Sequence, residues 1–142
     1  MLISTRGRYA LRVMADLAAH DDGDYIVLMD IARRQEISEK YLESILAVLS
    51  RADFVLAARG RGGGYRLSRA PEDYTVGSIL RLTEGSLSPV ACLRNGADGC
   101  SRAADCPTLP VWEELDGIIE RYLDGVTLRD LMHNGEKNSP KG

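Results

Sequence analysis

The feature that most restricts the fold is a glycine-rich run near the middle of the chain, Arg59-Gly60-Arg61-Gly62-Gly63-Gly64. Short strand-like runs flank it, Phe54-Val55-Leu56 before and Tyr65-Arg66-Leu67 after. Glycine adopts backbone conformations that other residues avoid, so such a run marks a turn between two regular elements. The pattern therefore predicts a β-hairpin with a long glycine-rich tip.

Three helices are predicted before this hairpin. Apolar residues recur at helical spacing over roughly 7–20, and a shorter helix fits Leu28 to Gln35. Ser38 suits the N-cap of a third helix that runs to Arg51, with Glu39 near its positive end. Two helices joined by a short turn and followed by a hairpin predict a winged helix-turn-helix. The expected fold class is therefore mostly α with a small β-hairpin wing (α+β).

A second helical unit is predicted after the wing. Thr75 would cap a helix that Gly85 ends, and a loop from Ser86 to about Thr108 follows. An amphipathic helix then covers Val111 to Leu123.

A last short helix is predicted at Leu128–Met132, because Thr127 and Asp130 resemble a capping box. The expected organisation has three parts. They are a winged helix-turn-helix at 1–70, a linker helix, cysteine loop and dimerisation helix at 71–133, and a disordered polar tail at 134–142.

The apolar stripe of the Val111–Leu123 helix can be core or a partner surface. The helix follows a loop and is too long for so small a module to cover fully, which favours a surface that pairs with a second copy. We therefore expect a homodimer whose interface contains Val111, Trp112, Leu115, Ile118, Ile119 and Tyr122.

Charge is distributed unevenly along the 142 residues. The formal net charge is −3, yet residues 1–70 carry 11 Lys or Arg against 9 Asp or Glu, and residues 71–142 carry 7 against 12. Arg59, Arg61, Arg66 and Arg69 lie within an acid-free stretch of eleven residues. A locally basic first half is therefore joined to an acidic second half.

The glycine run allows three interpretations. A phosphate-binding loop needs a following helix and a Lys-Ser/Thr pair, whereas a strand-like run follows here. A merely flexible hairpin tip is the second interpretation. The third, which we favour, is a wing on nucleic acid, in which glycines let the backbone approach a groove and arginines meet phosphate or enter the minor groove. The predicted wing contacts are Arg59, Gly60, Arg61, Gly62, Gly63 and Tyr65.

The outer face of the third helix supplies the other predicted contacts, Ser38, Glu39, Lys40, Glu43 and Ser44. Lys40 can meet a phosphate or a guanine, whereas Glu43 can accept only from cytosine N4 and so can filter sequences. Alternatively, Glu43 is a solvated helix residue with no contact to DNA.

Three cysteines have the spacing Cys-x7-Cys-x5-Cys at Cys92, Cys100 and Cys106. Three thiolates can hold zinc or an iron–sulfur cluster with one position left open. Three reduced thiols, or a redox pair with one thiol left over, are the alternatives. The two histidines, His20 and His133, lie beside no candidate nucleophile, so we expect no enzyme.

A cytoplasmic protein without a membrane partner is expected. No stretch approaches the roughly 18 apolar residues of a membrane span, and the N-terminus has no signal-peptide core.

Three motifs together resemble one bacterial family over about residues 1–132. They are Ser4-Thr5-Arg6-Gly7-Arg8-Tyr9-Ala10, Ile37-Ser38 leading to Tyr41-Leu42-Glu43, and Arg59-Gly60-x-Gly62-Gly63-Gly64-Tyr65-x-Leu67. The chain resembles the Rrf-type winged helix-turn-helix regulators, which include IscR, CymR and NsrR. The resemblance implies a homodimeric repressor on a palindromic operator in double-stranded DNA. It also implies that the Ser38–Arg51 helix enters the major groove and the Arg59–Tyr65 wing the minor groove.

The same resemblance bears on a cofactor. Cys92, Cys100 and Cys106 match three cluster cysteines of the family, which implies an iron–sulfur cluster, [2Fe–2S] rather than [4Fe–4S], that an isolated sample can lack. Leu109 stands where IscR-like members have histidine, and Arg8 stands where NsrR-like members have a carboxylate. Any fourth ligand must therefore be different: Asp98, Asp105, Glu113, another thiol or an exogenous molecule.

The resemblance also implies what the regulator controls and senses. Glu43 matches an acidic position that discriminates operator classes in IscR-like proteins. We expect control of iron–sulfur, sulfur or redox-stress genes, sensed through the cysteine loop. The alternative is a CymR-like regulator, which Gly85–Val90 resembles, controlled by a sulfur-metabolism enzyme without any cluster.

Overall fold

The computed structural model describes residues 3–93, 102 and 104–138. Within them the chain forms six α-helices, a two-stranded antiparallel sheet and two short 3₁₀ turns, which confirms the predicted fold class. None of the helices in these ranges is long and apolar enough to cross a membrane. The elements are α1 (Thr5–Ala19), α2 (Leu28–Gln35), α3 (Glu39–Arg51), β1 (Val55–Ala58), β2 (Gly64–Leu67), a turn at Pro71–Asp73, α4 (Val76–Glu84), a turn at Ala91–Leu93, α5 (Leu109–Gly125) and α6 (Leu128–Asn138).

Side-chain caps fix where the helices begin. The Ser38 hydroxyl accepts from the Tyr41 backbone N–H at 3.2 Å, as the sequence predicts. At α4, the Thr75 hydroxyl accepts from the N–H of Ser78, whose own hydroxyl accepts from the N–H of Thr75. Each cap of this kind contributes about 1 kcal/mol to helix stability.

The turn between α2 and α3 has three residues, Glu36 to Ser38. Glu36 adopts the left-handed conformation, with φ 54° and ψ 46°, and its N–H bonds to the Ala32 carbonyl. The Ile37 N–H bonds to the same carbonyl at 3.0 Å. This tight connection sets the angle between the two helices, so α2 and α3 form a helix-turn-helix.

Two apolar clusters hold the fold together. The main cluster lies between α1, α2, α3 and α4 and includes the inner side of the hairpin and the start of α6. Its largest fully buried side chains are Met14, Leu17, Ile31, Leu42, Ile45, Leu46, Leu49, Tyr74, Ile79 and Leu128. The second cluster, Val76, Leu80 and Leu87, packs against Ile119 and Leu123 of α5. Helix α5 is thus attached to the rest of the chain through one face.

The hairpin pairs Val55 with Leu67 at its base and Ala58 with Gly64 near its tip. A third segment, which sequence analysis missed, joins it: Ile26 and Tyr65 exchange two backbone hydrogen bonds of 2.8 Å. A Cβ at Gly64 would collide with the Ile26 carbonyl oxygen, and one at Gly63 would collide with that of Ala58. Glycine is therefore required at these two positions by close backbone approach.

The two last helices are longer than predicted. Helix α5 begins at Leu109 rather than Val111, because Pro110 is compatible with a first helical turn. The Thr127–Asp130 capping box is present, but α6 continues to Asn138 instead of ending at Met132. Helix α6 therefore enters the segment where a disordered tail is expected, since a glycine inside a helix costs only about 1 kcal/mol and need not end it; the disorder of that tail stays a prediction. Residues 139–142 lie outside the described part.

Candidate nucleic-acid interface

Helix α3 separates its residues into a buried and an outward face. Its apolar residues Leu42, Ile45, Leu46 and Leu49 are buried in the main cluster. Glu39, Lys40 and Glu43, predicted as contacts, are exposed, as is Ser38 at the cap, while Ser44 is half-buried. The structure thus brings the five predicted α3 contacts to one end and one side of this helix.

Ser38, Lys40, Tyr41 and Ser44 line a shallow depression at the start of α3. Both serine hydroxyls already have backbone partners, since Ser38 caps the helix and Ser44 donates to the Tyr41 carbonyl at 2.6 Å. The Lys40 ammonium has no hydrogen-bonding or ionic partner in the described part of the chain. It is therefore the cation at this site that is available to a phosphate or a base edge.

Tyr41 is half-buried at the edge of the depression and packs against the main cluster. Its ring meets that of Tyr9 edge-on at 5.9 Å, and the Arg12 guanidinium lies 5.0 Å from the Tyr9 centroid. Helix α1 thus supports the start of α3 through an aromatic contact. Tyr9 and Tyr41 each belong to one of the family motifs, and this shared membership is the sequence signal that could have indicated their contact.

The hairpin tip carries two free cations. Arg59 and Arg61 are exposed, and neither has a hydrogen-bonding or ionic partner among residues 3–93, 102 and 104–138. Gly60 and Gly62 turn the tip with φ of 83° and 78°, a conformation that suits glycine. The tip therefore presents two guanidinium groups to solvent.

The other two arginines of the basic stretch are engaged. Arg66 donates to the Gly23 carbonyl at 2.8 Å and lies 5.1 Å from the Tyr25 ring centroid. Arg69 lies over two rings, 4.9 Å from that of Phe54 and 5.0 Å from that of Tyr74. Arg66 thus joins the hairpin to the segment between α1 and α2, and Arg69 stabilises the base of the hairpin by cation–π contact.

Tyr65, predicted as a DNA contact, packs against the main cluster, and its backbone pairs with Ile26. Tyr65 therefore holds the wing against the rest of the domain.

Tyr74 connects the wing base to the rest of the domain, a role that no sequence pattern indicated. Its hydroxyl donates to the Phe54 carbonyl at 2.7 Å. The same oxygen accepts from the backbone N–H groups of Ser68 and Arg69, each at 3.1 Å. A single buried hydroxyl thereby joins the residue before β1 to the residues after β2.

The outer face of α5 is apolar and exposed. Val111, Leu115, Ile118 and Tyr122 are 57%, 38%, 48% and 69% exposed. Their spacing of four, three and four residues places them along one stripe, as in helices that pair with another helix. Of the other two predicted interface residues, Trp112 is half-buried, whereas Ile119 packs inward on the second cluster.

The structure describes two of the three cysteines, Cys92 and Cys106, whereas Cys100 lies outside the described residues. Cys92 is half-buried in the turn at 91–93, and Cys106 is half-buried before α5. A hydrogen bond of 3.3 Å with the Thr108 hydroxyl lowers the pKa of Cys106, which favours its thiolate. Thiolates are the ligands that an iron–sulfur cluster requires, so these two residues fit part of such a site.

No group of three or more His, Cys, Asp and Glu side chains that could hold a metal occurs within the described ranges. Leu109 is buried and offers no donor atom. Asp98, one of the expected alternatives for a fourth ligand, also lies outside the described residues.

Comparison with known proteins gives a consistent result. The Rrf2 family model, described as "Iron-dependent Transcriptional regulator", matches residues 3–134. The "HTH-type transcriptional regulator IscR" of Aliivibrio salmonicida is 37% identical over 136 residues, 96% of this chain and 80% of that protein.

Two solved structures are similar over nearly the whole chain. The structure of CymR, "the Global Cysteine Regulator of B. subtilis", has a TM-score of 0.79 at 34% identity. The match covers 94% of this chain and 98% of the CymR chain. IscR of T. potens has a TM-score of 0.78 at 38% identity and covers 100% of this chain and 94% of its own.

Proposed function

Because the chain belongs to the Rrf2 family of helix-turn-helix transcription regulators, we propose that it is a cytoplasmic homodimeric repressor. It would act on a palindromic operator in genes of iron–sulfur, sulfur or redox metabolism. The relatives are transcription regulators and not enzymes, which agrees with the sequence-based expectation.

One observation carries the proposed DNA contact. Of the four arginines in the acid-free stretch, the two at the wing tip have no partner within the described chain, while Arg66 is bound to Gly23 and Tyr25 and Arg69 lies over the rings of Phe54 and Tyr74. Two unpaired guanidinium groups on a hairpin tip suit phosphate or the minor groove. With Lys40 on α3, they would form the DNA-binding surface, in which α3 would lie in the major groove and the wing in the minor groove.

The proposed dimer rests on the stripe formed by Val111, Leu115, Ile118 and Tyr122. These four large apolar side chains remain exposed while the opposite side of α5 is packed on its own chain. A two-fold pair of such helices would bury the stripe against itself. It would also hold two copies of α3 at a fixed separation, which a palindromic operator requires.

The proposed sensor is the cysteine loop. Cys92, Cys100 and Cys106 would hold an iron–sulfur cluster, [2Fe–2S] rather than [4Fe–4S], which supplies redox- and iron-dependent chemistry when bound. The Ser88 hydroxyl donates to the Asp116 carboxylate at 3.2 Å, linking the segment before Cys92 to α5. A change in the loop would thus reach the dimer helix and alter the separation of the recognition helices.

A second candidate is a regulator controlled by a sulfur-metabolism enzyme without a cluster. The likeness to the cysteine regulator CymR favours it, as does the absence of a donor atom on Leu109. Anaerobic purification with visible absorption and iron, sulfide and zinc analysis separates the two candidates. The cluster hypothesis expects colour and stoichiometric iron that are lost when all three cysteines become alanine. Regulation that survives this triple substitution supports the partner-controlled candidate.

The proposed DNA contact is tested by binding to a duplex recovered by selection from a random-sequence library. Affinity measured at several salt concentrations gives the number of phosphate charges neutralised. Arg59→Ala and Arg61→Ala should each reduce the slope of log affinity against log salt by about one for each protomer, and so by about two for the proposed dimer. Arg121→Ala, which removes the same charge from α5, is the matched control and should leave the slope unchanged. Identical slopes for the wing variants and the parent would contradict the wing assignment.

A further inference from the structure

The segment from Pro71 to Val76, here called the strap, contacts two distant parts of the domain at once. On one side its backbone pairs with the α5–α6 junction. The Leu128 N–H donates to the Tyr74 carbonyl at 3.0 Å, and the Val76 N–H donates to the Val126 carbonyl at 2.8 Å. The Arg129–Glu72 ion pair, at 2.8 Å, adds a contact between α6 and the strap.

On its other side the strap holds the wing base through the side chain of Tyr74. The hydroxyl hydrogen bonds to Phe54, Ser68 and Arg69 described above belong to this residue, and its ring meets that of Phe54 edge-on at 5.5 Å. Tyr74 is fully buried. The backbone of Tyr74 is therefore hydrogen-bonded to the α5–α6 junction, and its hydroxyl is hydrogen-bonded to the residues next to both strands of the hairpin.

We propose that Tyr74 is a positioning residue that couples the α5–α6 junction to the wing and so sets where Arg59 and Arg61 meet DNA. This inference rests on the proposed function, since it assumes that the wing binds DNA. A displacement of the junction would move the Tyr74 carbonyl, and the rigid side chain would transfer that displacement to the wing base. Helix α5 would then control two quantities: the separation of the two recognition helices and the position of the wing.

The hydroxyl is the atom on which the coupling depends. It donates one hydrogen bond and accepts from two backbone N–H groups, and the Ser68 hydroxyl, which donates to the Asp53 carbonyl, lies 3.1 Å from it. Phenylalanine would fill the same space and keep the aromatic contacts but would leave these backbone groups without the central oxygen. Tyr74→Phe thus releases the wing base while leaving the ring in the core.

The test is a double-mutant cycle on affinity for the selected duplex, using the full chain. Tyr74→Phe is measured in the parent and in the Arg59→Ala/Arg61→Ala background. If Tyr74 acts through the wing arginines, it should weaken binding about five-fold or more in the parent and less than about two-fold where they are absent. Equal losses in both backgrounds, or no loss in the parent, would overturn the inference.

Two further variants keep the result interpretable. Ile79→Val perturbs the same core from α4 and serves as a control whose melting temperature is compared with that of Tyr74→Phe. It should leave the affinity for DNA unchanged. A loss of affinity equal to that of Tyr74→Phe would overturn the inference. Ser68→Ala removes one partner of the Tyr74 hydroxyl and replaces Tyr74→Phe in the cycle if that variant does not fold. Failure of the parent to bind any duplex in a salt-dependent way would instead contradict the proposed function itself.

Discussion

The carboxylate of Asp16 in α1 is bound on both oxygens by Arg34 of α2, with distances of 2.9 Å to Nε and 2.7 Å to Nη2. Asp16 is 4% exposed, and Gln35 adds a third hydrogen bond at 2.8 Å. The hydrogen bonds between Arg34 and Asp16 raise the pKa of Arg34 above its ordinary value. The first helix of the helix-turn-helix is thereby fixed on α1 by an ion pair with a buried carboxylate, and not by apolar contact alone.

Arg34→Ala should destabilise the fold by about 2–3 kcal/mol, because it leaves a buried carboxylate with the Gln35 amide as its remaining side-chain donor. Urea unfolding at fixed protein concentration measures the loss. The neighbouring Arg33, whose ion pair with Asp30 is exposed, is the matched control: Arg33→Ala should cost less than about 0.5 kcal/mol. Similar losses for both variants would show that the buried pair contributes no more than a surface one.

Glu43→Gln should change the sequence that the protein selects at one position of each half-site. A carboxylate at this exposed place on α3 accepts only from cytosine, whereas the amide of glutamine suits adenine. Glu43→Ala should relax the choice instead and raise affinity for random duplex, since a charge that repels phosphate is removed. Selection from a random library with parent and variants checks both expectations. Identical consensus sites for all three proteins would mean that Glu43 does not contact a base.

Ile118→Glu should convert the proposed dimer into a monomer at micromolar concentration, since a two-fold interface would bury two like charges at its centre. Sedimentation equilibrium measures the mass, and circular dichroism verifies that the helices are kept. Met29→Glu introduces the same charge at another exposed apolar residue, outside α5, and should leave the mass unchanged. A dimer that persists in Ile118→Glu would place the interface elsewhere.

The pairing of Asp124 with Arg81 makes the attachment of α5 to α4 sensitive to acid. The two side chains form hydrogen bonds of 2.8 and 2.9 Å, and Arg81 lowers the pKa of Asp124. A lowered carboxylate pKa stabilises the folded state fully above the ordinary aspartate value of about 4. That contribution is lost as pH falls through the lower value of the folded state.

Melting temperatures between pH 7 and pH 2 test this pair. Asp124→Asn should be less stable than the parent at neutral pH, and the difference should shrink as the medium becomes more acid. Arg81→Ala should flatten the profile in the same way, and the double variant should add little to either single variant. Parallel profiles for parent and Asp124→Asn would remove the pair as a source of acid sensitivity.

Local signals predicted the N-terminal half of the fold well. Helical spacing and the Ser38 cap located α1 to α3, and the glycine run located the hairpin, because each signal acts over a few neighbouring residues. The pairing of Ile26 with Tyr65 joins segments almost forty residues apart along the chain and has no local pattern. The end of α6 was missed because the residues after Met132 are polar and carry no apolar periodicity that would mark a helix.

The candidate site was predicted less completely than the fold. Counting arginines gave a basic hairpin, but which guanidinium groups are free depends on the aromatic rings that Arg66 and Arg69 reach in three dimensions. The role of Tyr74 likewise depends on hydrogen bonds to residues before and after the hairpin. For α5, periodicity identified an amphipathic helix, yet only packing separated inward Ile119 from outward Ile118.

The glycines of the wing divide into two pairs that mutation would treat differently. Gly60 and Gly62 have positive φ but open space around them, so asparagine or aspartate, which tolerate this conformation, could replace either one. Gly63 and Gly64 admit no side chain at all, because backbone carbonyls occupy the place of a Cβ. Functional proteins selected from a library of wing variants should therefore keep glycine at positions 63 and 64, whereas positions 60 and 62 should vary. If the proposed wing contact holds, such changes at the tip would alter its groove preference while the pairing of the two strands stays the same.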